Sequence, residues 1–127
     1  MANINFIVPL VVYPFDIMIS MEQSDEQFLK SCEGYGFNKS DLDGFLGMSS
    51  SCDGRCAMFP SGQTIIRFPY WYGYSKMSGI IAHEVFHAVT MILEFIGMDM
   101  KVGTSCEAYA YLTQYVIEKV YKGLYED

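Results

Sequence analysis

An α+β domain is the fold class this chain predicts, and three features of the sequence predict it. Residues 4–20 are rich in β-branched and aromatic side chains, and Pro9 and Pro14 exclude a continuous helix there. Pro60-Ser61-Gly62 separates two short strand-like runs, 54–59 and 63–68, as the turn of a hairpin does. Two long segments of helical character follow, joined by a short turn after Met98. Helices joined so closely pack as antiparallel neighbours, so the N-terminal strands and the hairpin are expected to pack on that pair.

The individual elements follow from local signals. Phe15-Asp16-Ile17-Met18-Ile19-Ser20 reads as a strand, and Ser24 with Gln27 three residues later is a capping box opening a short helix. Gly34 or Gly36 ends that helix, and Asn38 to Met48 allows one or two helical turns started at Ser40. Ser75 or Ser78 is the expected cap of the long helix, which Gly97 closes. Thr104 or Ser105 starts the second helix, which runs to about Lys122 before Gly123.

A chain of 127 residues, half of them apolar, forms a single domain (1–127) with a core of its own. Ten Tyr and nine Phe predict an aromatic-rich core, with tyrosine hydroxyls turned outward or into a cleft. Net charge is −7 with no basic run, which argues against nucleic acid and anionic membrane surfaces as partners. No Lys or Arg precedes the first apolar run and Pro9 interrupts it, so no secretory signal is expected. The longest apolar stretch, 77–98, carries His83, Glu84, His87 and Glu94, which a membrane span would not tolerate. Cys32, Cys52, Cys56 and Cys106 are then expected as thiols in a reducing compartment. Cys52 and Cys56 flank Asp53-Gly54-Arg55, where they either pair across a turn, help to bind a metal, or remain plain thiols.

His83-Glu84-Val85-Phe86-His87 is the motif that carries chemistry, and it lies within the long helix. Histidines four apart on a helix project from one face, one turn apart, as two cis ligands of a tetrahedral zinc require. The glutamate beside the first histidine reaches a metal-bound water rather than the metal, and so suits a general base. The surrounding segment is otherwise apolar, so all three groups are expected to be buried, at a cost of several kcal/mol unless something binds them.

A mononuclear site needs a third ligand, and Glu107, twenty residues after His87 in Thr104-Ser105-Cys106-Glu107-Ala108-Tyr109-Ala110-Tyr111, is the candidate. Asp99 and Glu94 are rivals, although Glu94 stands two turns beyond His87, about 10 Å along the axis. Thr104 and Glu107 also have the spacing of a capping box. With these residues the chain resembles the gluzincins, the thermolysin-like metallopeptidases, in which a glutamate on the following antiparallel helix completes the site. Glu-Ala-x-x-Tyr is also similar to small intracellular zincins, among them the peptidases that cleave phage repressors. Tyr-Pro-Phe-Asp at 13–16, the hairpin and Glu-Ala-Tyr-Ala-Tyr at 107–111 resemble small phage-encoded zincin-like proteins over most of the chain.

The resemblance implies a small zincin-like domain and a zinc-dependent peptidase of the cytoplasm of a bacterial or phage-infected cell, acting on a peptide or protein. His83, His87 and Glu107 would hold Zn2+, with Glu84 as base. Tyr111 replaces the acid that orients a ligand histidine in thermolysin-type enzymes, and no counterpart of their second lobe, with its oxyanion donor, is expected. Tyr111 and Tyr109, then Tyr70, Tyr72 and Tyr74, or Arg67, are the donors to consider. Ile65-Ile66-Arg67 is the expected edge on which an extended substrate adds as a strand. The alternative function is a non-catalytic zinc-bound interaction module on the same scaffold. A small-molecule hydrolase such as an amidase is a third.

Overall fold

The computed structural model describes residues 3–11, 13, 15–46 and 53–125. Pro14, Met48, Cys52 and the Glu126-Asp127 tail lie outside the described residues. The domain is α+β, with a four-stranded mixed sheet between two layers of helix. Strands β1 (Ile4–Pro9) and β2 (Asp16–Met21) form an antiparallel hairpin with Ile4 opposite Met21. Strands β3 (Arg55–Met58) and β4 (Thr64–Phe68) form a second, with Arg55 opposite Arg67. The two hairpins join through a parallel β2–β4 pairing, Ile17 opposite Thr64, giving the order β1-β2-β4-β3.

That parallel pairing explains the burial of β4. Every residue of Thr64–Phe68 is buried, because the strand has a neighbour on each side and helices over both faces. Alternation sends Ile17, Ile19, Met21, Ile66 and Phe68 to one face, where they pack with α3 (Tyr74–Phe95) and α4 (Cys106–Tyr125). Met18 and Ile65 point the other way, into Phe28 and Cys32 of α1 (Asp25–Gly34), Leu42 of α2 (Lys39–Leu42) and Phe45 of the 3-10 turn that follows it. The second helical layer is a finding that the one-layer expectation missed. The core is mainly aliphatic, with Phe28, Phe45, Phe59 and Phe68 inside and most of the tyrosines at its margin.

Capping follows the sequence at some termini and departs from it at others. Ser24 and Gln27 form the reciprocal capping box expected of them, and Gly36, at φ 78°, lies just past the end of α1. Asn38, not Ser40, caps α2 by accepting from the Ser40 N–H. Helix α3 begins at Tyr74, ahead of the serines expected to cap it. Gly73 at φ 92° turns the chain in without a side-chain cap, and the Ser78 hydroxyl bonds the Ser75 carbonyl inside the first turn. Its C-terminus is a Schellman closure, with the Met98 N–H on Leu93 and the Gly97 N–H on Glu94. Helix α4 runs through Gly123 rather than stopping there. A Cβ on that glycine would lie 2.2 Å from Phe6 Cζ, so the missing side chain is what lets α4 cross β1. No helix among the described residues is long and apolar enough to cross a membrane.

Candidate metal centre

His83, Glu84 and His87 all sit on α3, but on different sides of it. The buried stripe runs through Ile81, Val85, Ala88 and Ile92, and the histidines stand on the opposite side at 3.6 residues per turn. The His83 side chain is 67% exposed, whereas that of Glu84 is only 8% exposed. His87 is exposed as well. The expectation that all three are buried is therefore corrected: the apolar residues around the motif turn inward to the sheet, and the imidazoles take the solvent side.

The imidazoles face each other, with Nε2 to Nε2 at 3.2 Å and rings 4.8 Å apart and nearly perpendicular. Two nitrogens at about 2.05 Å from one tetrahedral cation lie about 3.3 Å apart, so this bite fits two cis ligands of zinc. The same separation allows one Nε2–H to donate to the other Nε2. Glu84 Oε2 is 3.9 Å from His83 Nε2, beside the pair and not between its members. Burial pushes the Glu84 carboxyl above its usual range, and the two imidazoles partly oppose that rise.

A cleft of about 280 Å³ opens beside the motif, lined by Asp53, Gly54, Gly79, Ile80, His83 and Glu84. Gly54, just before β3, forms one wall and touches the base. A Cβ there would lie 2.9 Å from Glu84 Cγ and 3.2 Å from Oε2. Cys56, two residues on, is pushed up by burial and by the Glu84 charge, so it remains a thiol. Tyr72 reaches the same wall through a hydrogen bond with Asp53, and burial, then that bond, raises its hydroxyl pKa. Lys76 adds an ion pair, Nζ to Asp53 Oδ2 at 3.8 Å, and stands 4.1 Å from the Tyr72 ring centre. Asp53 and Gly54 were not among the expected site residues. The signal for them was slight, one glycine between Asp53 and Arg55, because their role comes from packing across 30 positions of chain.

The remaining expected residues are not drawn into this cleft. Glu107 is exposed in the first turn of α4, and no group of three or more His, Cys, Asp or Glu able to hold one metal forms among the described residues. Helix α3 continues eight residues past His87, about 12 Å, before the chain turns back. The Tyr109 hydroxyl then ties the start of α4 to the Met98 carbonyl at that far end. The Thr104–Glu107 capping box is also replaced: Ser105 bonds the backbone of Lys101 and Asp99, and Thr104 that of Lys101. Tyr111 is 66% exposed and lines a different cavity, with Leu10, Val11, Tyr13 and Tyr115.

Ile65, Ile66 and Arg67 cannot accept an added strand, which corrects the expected substrate edge. They belong to β4, already paired on both sides, and the sheet edge near the motif is β3. Arg67 is buried on the face away from α3, donating to the Gln23 carbonyl and Asp25 Oδ1 at 3.0 Å and lying 4.3 Å from the Phe28 ring centre. Its charge holds α1 against the sheet and faces no oxyanion. No protein-family model, curated protein or solved structure matches this chain.

Proposed function

We propose that the chain is a zinc-dependent peptidase in which Glu84 is the general base. One observation carries this reading: an imidazole pair with a metal-sized bite stands beside a carboxylate, at a cleft walled by Asp53 and Gly54 just before the edge strand β3. Zn2+ on His83 and His87 would supply a bound water whose pKa falls toward about 7. Glu84, with its affinity for a proton raised by burial, is suited to take that water's proton and hand it to the leaving amine. Tyr72 stands at the cleft wall, and its single O–H, now given to Asp53, would have to leave that carboxylate to serve an oxyanion.

The substrate this arrangement suits is an extended peptide segment laid along β3. Phe59 bonds Gln63 inward, so alternation turns the backbone groups of Cys56 and Met58 toward the open edge. Such a segment would pass Gly54, where only hydrogen separates the backbone from the base. The cytoplasm is the matching compartment, because Cys32, Cys56 and Cys106 are unpaired thiols.

A non-catalytic zinc-bound module is favoured by one feature, the lack of a third ligand beside the pair among the described residues. Metal analysis with turnover of a fluorogenic peptide library separates the two. Turnover that needs zinc and is lost in Glu84→Gln supports the peptidase, whereas turnover that is absent, or unchanged in Glu84→Gln, removes it.

A further inference from the structure

We propose that two copies of this chain join through one zinc ion held by His83 and His87 of each. The proposal rests on the metal-binding half of the function above and not on its catalytic half. A tetrahedral zinc takes four ligands, and the described residues of one chain gather two. Those two stand on the exposed ridge of α3, opposite its buried stripe, where a second copy meets no part of the core. Both Nε2 atoms already stand 3.2 Å apart, the separation that two ligands of one tetrahedral cation need.

The surroundings suit a like partner approached along a two-fold axis. Phe86 is 55% exposed, its ring 6.3 Å from that of His87, and it gives each copy an apolar flank to the ligand pair. At −7 each, two chains repel, so the cation is required for association and its removal reverses it. With four imidazoles around it the zinc has no position for water, so this form is hydrolytically silent. Zinc supply would then set the active fraction: scarce zinc favours the shared ion, and abundant zinc favours one ion per chain.

Metal-free full-length chain titrated with zinc chloride tests this in sedimentation velocity, with bound zinc measured in parallel. The sedimenting mass should double from 14.4 kDa as zinc reaches one ion per two chains, then fall back as zinc approaches one per chain. His83→Ala and His87→Ala should each abolish the doubling, and because both side chains are exposed, each variant should fold. One zinc per chain in a protein that stays monomeric at every ratio overturns the shared site and leaves the peptidase standing. A dimer that persists in either variant also overturns it. Failure to take up zinc at all removes both proposals.

Discussion

Gly54→Ala probes the contact on which the candidate centre depends. Gly54 is outside the left-handed region, so an alanine there meets no backbone strain. Its methyl would lie 2.9 Å from Glu84 Cγ and 3.2 Å from Cδ and Oε2, closer than ordinary van der Waals contact. Overpacking of this kind costs about 1–3 kcal/mol, against about 0.4–1 kcal/mol gained from the stiffer unfolded chain. A net loss of about 1–2 kcal/mol is expected. At about 2.1 cal/mol/K per residue over 127 residues, that lowers the melting temperature by about 4–8 °C.

The specific cause is isolated by repeating the change in Glu84→Ala. There the three nearest atoms that the methyl would meet are gone, and the substitution should become neutral or gain up to about 1 kcal/mol, a coupling near 2 kcal/mol. Urea unfolding of the four proteins measures it. Gly79→Ala, on the same cleft but with no heavy atom within 4 Å, is the control and should stabilise α3 by about 1 kcal/mol. An equal cost of Gly54→Ala in both backgrounds would refute the contact between the cleft wall and the base.

Three further outcomes are expected. Glu84→Gln should cut turnover about 10²- to 10⁴-fold while bound zinc is unchanged; loss of zinc instead would make Glu84 a ligand rather than the base. Ile66→Pro should unfold the protein, since it breaks the central strand, and a folded variant in circular dichroism would contradict the β4 assignment. Tyr125→Phe concerns a buried hydroxyl without a hydrogen-bond partner, whose pKa burial raises from 10.0 to about 12. A raised folded-state pKa means that stability is full below pH 10 and is lost as pH rises toward 12. The variant should lose less over that window and be at least as stable at pH 7, and parallel alkaline unfolding curves would contradict this.

Several parts of the fold were legible because their causes are local. The Ser24–Gln27 box, the turn at Pro60-Ser61-Gly62 and the Gly97 closure each depend on a few adjacent residues, and each stands where the sequence placed it. The parallel β2–β4 pairing was not legible, because α1, α2 and β3 all intervene along the chain before the strands meet. Missing that pairing misassigned the sheet edge to Ile65–Arg67, although their apolar density was itself the mark of an interior strand.

The four-residue spacing of His83 and His87 was enough to set the bite of the imidazole pair, since helix geometry alone aligns those side chains. Which groups surround that pair was decided by tertiary packing. Glu107 forms no ligand group with it among the described residues, and the approach of the segment that leads into β3 brings in Gly54 and Asp53. Periodicity states which residues share a face of one helix. How far that helix runs before the chain returns, and which strand lies beside it, depend on contacts between residues far apart in sequence.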